Sequence, residues 1–166
     1  PIGETWTITQ VEENIIHKIG NRPAFELLVD TLNDLPDDIK VRANRNLFTG
    51  LVIDEYREDF GRGDFLIRNL IGGDPKKGSI AIGAYPRVGQ TIQFQLRDAQ
   101  AASEDMDDML LSAKNKLADT TIYGACLCSC NGRGEGLFGQ PNHDAGLVQK
   151  HLGPLALNGF FCNGEI

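Results

Sequence analysis

The stretch Ser129-Cys130-Asn131-Gly132-Arg133-Gly134-Glu135-Gly136-Leu137-Phe138-Gly139 is where this chain concentrates residues able to do chemistry. Glycine at alternate positions uncovers backbone N–H groups and permits positive φ, which together can shape an anion-holding concavity. A helix expected to begin near His143, after Pro141-Asn142, adds more free N–H groups and a partial positive charge. Arg133 is the only arginine after Arg97, and a guanidinium among glycines suits a carboxylate or phosphate. The loop lacks the lysine and Ser/Thr that close a phosphate-binding Walker loop, and its spacing does not match the dinucleotide fingerprint. A glycine-rich connection of fixed shape is the alternative reading of the same composition.

The candidate ligand-binding set is Asn131, Gly132, Arg133, Gly134, Glu135, His143 and Asp144. Asn163 and Glu165 join it at the end of the last strand, and Arg97 joins it at the end of an earlier one. N–H groups and Arg133 would take a carboxylate, and Glu135, Asp144 or Glu165 an amino group. No residue is assigned as catalytic. A thiol nucleophile at Cys130 needs a base and an orienting carboxylate. His143 and Asp144 would have to supply them, but adjacent helical side chains point apart. Cys126, Cys128 and Cys130 alternate along an apolar run. Strung along a strand they converge poorly on a metal. They cannot easily pair with one another, and Cys162 could satisfy only one of them. They read as reduced, small buried hydrophobes, with Cys130 the exception where strand becomes loop. No metal and no cofactor is expected. Arg97-Asp98 fits a ligand contact or a structural hold on the following turn. Arg62-Gly63-Asp64 reads as a turn.

The elements that position these residues follow from periodicity. Trp6–Thr9 and Ile15–Ile19 read as two strands around a tight turn at Glu13-Asn14. Pro23 opens a helix with Phe25, Leu28, Leu32 and Leu35 on one face, ended by Pro36. Asp37 or Asp38 caps a short helix through about Asn46. Leu51–Ile53, Phe65–Ile67, Ser79–Ile82 and Thr91–Leu96 are strands joined by short turns, which implies antiparallel pairing. Ser103 is expected to cap a helix carrying Met106, Met109, Leu110, Ala113 and Leu117, with acids in its first turns. That helix is expected to pack across one face of the four-stranded meander. A buried strand at Thr120–Cys128, a helix from His143 to Leu152 ending at Gly153, and a strand at Leu157–Cys162 form a strand–helix–strand unit, the place for a parallel pair. The fold class is α+β, a mainly antiparallel sheet with helices packed on one face.

With 166 residues, 41% of them hydrophobic, the chain suits one substantial core. A net charge of −7 argues against nucleic acid and against an anionic membrane surface. No apolar run approaches a membrane helix and no signal peptide is recognisable. The start at Pro1 without methionine, and the stop at Ile166 within a glycine-containing stretch, are expected of a piece of a longer polypeptide.

Several segments, in order, closely resemble the C-terminal FIST domain. They are Leu51-Val52-Ile53-Asp54-Glu55, Gly63–Leu70, Phe94-Gln95-Leu96-Arg97-Asp98-Ala99, Ser129–Gly134, Leu137-Phe138-Gly139, His143-Asp144 and Gly159-Phe160-Phe161 through Gly164-Glu165-Ile166. The similarity covers nearly the whole chain, read as a single domain over 1–166. The family joins F-box proteins with intracellular signal transduction. The resemblance implies a cytoplasmic sensory domain for a small ligand such as an amino acid, with no assigned enzymatic activity. It also implies a FIST N-terminal domain upstream in the same polypeptide and signalling or F-box partners. Asn142 stands where the family usually carries an acid. An interaction platform without ligand and, more remotely, a cysteine-dependent enzyme are the competing readings.

Overall fold

The computed structural model describes residues 1–43, 46–61, 63–118 and 120–162. Nine strands and five helices occur among them, mostly antiparallel, so the fold is α+β as expected. The chain divides into two compact units, Pro1–Arg97 and Asp98–Ile166. Where one core was expected there are two hydrophobic clusters, one in each unit.

The first unit contains β1 (Ile2–Glu12), β2 (Ile15–Ile19), β3 (Arg22–Pro23), α1 (Ala24–Asn33), α2 (Asp37–Ala43), β4 (Leu47–Val52), β5 (Phe65–Asp74), β6 (Ser79–Ile82) and β7 (Thr91–Leu96). The antiparallel order is β1-β7-β4-β5-β6-β2, and β1 also pairs with β2, so the sheet closes on itself. Two long strands make the closure. The first half of β1 pairs with β7 and its second half with β2. Likewise β5 pairs with β4 up to Asn69 and with β6 from Leu70. Register shifts fall on both strands, as expected where a strand bends from one partner to the next. The expected hairpin turn is present, with Glu13 at φ 52°. Inside sit Ile8, Ile16, Ile19, Ile80, Ile82, Ile92 and Phe94, each no more than 1% exposed. The β-branched side chains that favour strands also fill this interior. Helix α1 adds Ala24, Leu27 and Leu28 to the cluster. Gly73 permits its approach, because a Cβ there would lie 2.5 Å from the Phe25 ring. Of the expected Arg62-Gly63-Asp64 turn, Gly63 and Asp64 lie in a turn and Arg62 lies outside the described residues.

The second unit contains α3 (Ala99–Lys116), β8 (Gly124–Cys130), α4 (Glu135–Phe138), α5 (His143–Leu152) and β9 (Ala156–Cys162). Strands β8 and β9 pair in parallel, confirming the strand–helix–strand unit. Two corrections concern α3. Its cap is Asp98, whose carboxylate accepts the Ala101 N–H at 2.8 Å; Ser103 lies one turn inside, and no acid occupies the first turn. Its buried Met106 and Leu110 pack with Val148 of α5 and with Leu127 and Leu157 of the parallel strands, where packing on the meander was expected. Met109 is 58% exposed. A third correction concerns the thiols: Cys126 and Cys128 are exposed, and Cys130 and Cys162 half-buried. Period two explains this. Leu127 and Ser129 face the helices, which leaves the alternate cysteines on the outer face.

Candidate functional site

A cleft of about 490 Å³ opens in the second unit between the loop after β8, the start of α5 and the end of β9. Its walls are largely apolar, with Leu127, Phe138, Leu157, Phe160 and Phe161 among them. Ser129, Arg133, Glu135, Gln140, Asn142, His143, Asp144 and Asn158 are its polar residues.

The expected concavity of loop N–H groups is not formed at Asn131–Arg133. Those three donors are used within the chain, by the Cys162 carbonyl, the Cys130 sulfur and the Cys130 carbonyl. Of the loop glycines, only Gly139 has positive φ, where it ends the single turn of α4. A short helix therefore stands where a bare loop was expected.

Arg133 is committed as well. Its Nε donates to Asp144 Oδ2 at 2.6 Å and its Nη2 to Asp144 Oδ1 at 2.8 Å, a bidentate fork. Nη2 also donates to the Ala102 carbonyl of α3 at 3.3 Å. Burial pushes the Asp144 carboxyl up, but hydrogen bonds from Arg133 and His143, with their charges, outweigh it and hold it below the usual carboxylate range. The same hydrogen bonding raises Arg133 above its ordinary value, against the opposing effect of burial. The expected division of labour, with Arg133 for a ligand carboxylate and Asp144 for a ligand amine, is thus corrected: each already holds the other.

His143 joins this pair. Its Nδ1 lies 3.0 Å from Asp144 Oδ1 and its Nε2 lies 3.1 Å from Ser103 Oγ on α3. A carboxylate only accepts, so Nδ1 donates to Asp144, while the Ser103 hydroxyl, able to donate or accept, pairs with Nε2. The ring stacks on Phe138, centroids 3.7 Å apart and planes 6° from parallel. The Arg133 guanidinium also lies 5.2 Å from the centroid of that ring. Adjacent helical side chains were expected to diverge. The stack and the Ser103 bond instead turn the ring so that Nδ1 meets Asp144. Serine, histidine and acid here share the connectivity of an acyl-transfer relay. Ser103, however, is not among the residues lining the cleft, and the acid is held by arginine. The chain of bonds ties α3, the loop and α5 together.

Gly134 and Glu135 line the cleft, and Glu135 is exposed. Asn131 is exposed and bonded to β9. Asn163 and Glu165 lie outside the described residues. Arg97 belongs to the first unit, where its guanidinium lies 4.7 Å from the Phe48 ring centroid. Sequence reasoning missed Ser103, Phe138 and the Phe160-Phe161 pair. The doublet was itself a signal, because adjacent strand residues face opposite sides and one must leave the core.

The FIST C domain model matches residues 24–166. The chain belongs to the FIST C domain family. An uncharacterized protein of Mycobacterium tuberculosis is 40% identical over all 166 residues, and the match takes in 43% of that relative's length. An uncharacterized protein of Mycobacterium bovis is 39% identical over the same span and share. An F-box/LRR-repeat protein of Arabidopsis thaliana is 31% identical over 106 residues, 61% of this chain and 20% of its own. The chain thus spans less than half the length of its mycobacterial relatives. No solved structure matches it.

Proposed function

We propose that this FIST C domain is a cytoplasmic sensory module that binds a small ligand in the cleft of its second unit and catalyses no reaction. The observation that carries this reading is the cleft itself. Its volume of about 490 Å³ suits a small molecule, and it combines apolar walls with polar groups. Arg133, Asp144 and His143 are held by mutual bonds, so the polar wall is preorganised.

A small carboxylate, with an amino acid the family-based choice, remains the proposed ligand. The occupied fork changes how it would bind. A ligand carboxylate reaches Arg133 only by taking the place of Asp144, while Glu135 is available for an amine. That exchange would release the start of α5 from the loop, linking occupancy to conformation, as a sensor requires. Ser103, whose hydroxyl is bonded to His143, is not among the residues lining the cleft, which favours binding over catalysis. A FIST N-terminal domain in the same polypeptide and signalling or F-box partners complete the proposal, the last echoing the Arabidopsis relative's name.

The test is a thermal-shift screen of amino acids and small organic acids on the full-length polypeptide. At a hundredfold excess over Kd a ligand adds about 2.7 kcal/mol of stability. Arg133→Ala should abolish the shift, and Glu135→Gln should weaken it for amino acids more than for simple acids. If no carboxylate stabilises the intact protein, the interaction-platform reading replaces this one.

A further inference from the structure

We propose that Cys130 and Cys162 form a peroxide-sensitive dithiol, a redox modification site that closes to an intramolecular disulfide. The two cysteines are register partners across the parallel strands β8 and β9. Neighbouring strands lie about 4.7–4.9 Å apart and register partners leave the sheet on the same face. That spacing falls within the roughly 4.4–6.8 Å between Cα atoms that a disulfide spans. The other two thiols have no such partner. Cys126 lies opposite Asn158 and Cys128 opposite Phe160. Thiols two residues apart on one strand are about 6.6 Å apart at both Cα and Cβ, beyond the roughly 4.5 Å that Cβ atoms of a disulfide allow. Position therefore singles out one pair among four cysteines.

The surroundings distinguish the two sulfurs. Cys130 Sγ accepts the Gly132 N–H at 3.3 Å, an arrangement that a thiolate shares. Cys162 Sγ instead donates to the Ser129 carbonyl at 3.5 Å. The structure thus assigns Cys130 as the attacking sulfur and Cys162 as the resolving one. Both are half-buried, so a molecule the size of hydrogen peroxide can reach them. The Cys130 thiolate attacks one peroxide oxygen, the O–O bond breaks, and sulfenic acid and hydroxide form. The Cys162 sulfur then attacks the sulfenic sulfur, the S–O bond breaks, and a second hydroxide leaves. The two thiol protons convert both hydroxides to water, so two thiols and one peroxide give one disulfide and two waters. Register partners must draw together slightly to close the bond, and a strained disulfide is readily reduced again. Closure would add a covalent tie at the root of the loop, where Asn131 N–H already donates to the Cys162 carbonyl at 2.9 Å.

The experiment treats the reduced full-length polypeptide with one to five equivalents of hydrogen peroxide, then alkylates and maps it by non-reducing peptide mass spectrometry. The expected product is a cross-linked peptide joining Cys130 to Cys162, removed by dithiothreitol, with Cys126 and Cys128 alkylated. Because Cys126, Cys128 and Cys130 share one tryptic peptide, the doubly substituted Cys126→Ser, Cys128→Ser protein is run alongside and should retain the cross-link. Cys162→Ser should lose it and leave a sulfenic acid at Cys130 that dimedone traps. Irreversible oxidation without a cross-link, a link between two molecules, or one joining Cys162 to Cys126 or Cys128 would overturn the assignment. This site stands apart from the ligand reading, and either can fail alone.

Discussion

Replacing Asp144 by Ala removes both acceptors of the Arg133 fork and the partner of His143 Nδ1 in one step. Breaking a buried ion pair by deleting one member costs about 3–5 kcal/mol. The Arg133 side chain keeps 25% of its exposure, so water recovers part of the loss and about 3 kcal/mol is expected. For a chain of this size each kcal/mol moves Tm by about 2–4 °C, so the drop should be roughly 6–12 °C. Arg133→Ala should cost less, because the remaining carboxylate keeps its bond to His143. The double variant should cost clearly less than the sum, since each residue is strained mainly by the other's loss. Thermal and urea denaturation of all four proteins supplies the cycle. The pH dependence gives a second check. A carboxyl held below its ordinary range contributes stability that is present above that range and lost as pH falls through its folded value. The gap between native protein and Asp144→Ala should therefore be constant at neutral pH and shrink below about pH 4. Single costs that add to the double within about 0.5 kcal/mol, or a gap unchanged at low pH, would refute the coupling.

Three further outcomes follow from packing. Gly159→Ala should destabilise the second unit by about 3 kcal/mol or more, read by circular dichroism on heating, because its Cβ would sit 1.9 Å from the Leu127 carbonyl oxygen. Leu110→Ala should cost about 2–5 kcal/mol in urea, whereas Met109→Ala, on the exposed side of the same helix, should stay within about 0.5 kcal/mol. Asp98→Ala should cost about 1 kcal/mol by removing the α3 cap, a loss that Asp98→Asn largely avoids.

Local chemistry was the legible part of this sequence. Period-two runs marked the strands of the first unit, and the Glu13-Asn14 turn and the Gly153 stop were readable from residue type. Barrel closure was not, because a long strand that changes partner midway looks the same in sequence as one that does not. The helix cap moved from Ser103 to Asp98 because both are good cap residues, and apolar spacing alone does not fix where the first turn begins. The spacing reads Leu127 together with Cys126 and Cys128 as one buried run and leaves Ser129 to the loop, though a sheet covered by helices on a single side buries only alternate residues, Ser129 among them. In the site, the residue types were right and the pairing was not. Nothing in the spacing of Arg133 and Asp144 says that a loop arginine will meet a helix aspartate before it meets a ligand.

The closed barrel also dictates when the first unit can form during synthesis. Its opening strand pairs with β7, so Ile2 waits for Phe94 and Trp6 for Ile92. Contacts so distant along the chain make folding slow, because a large loop must be ordered before they reward it. Until Leu96 has left the ribosome, β1 and β4 each lack their β7 neighbour, and unpaired strand edges invite pairing with other chains. A nascent chain stalled before this point is thus the sticky form of a unit whose finished barrel has closed that gap.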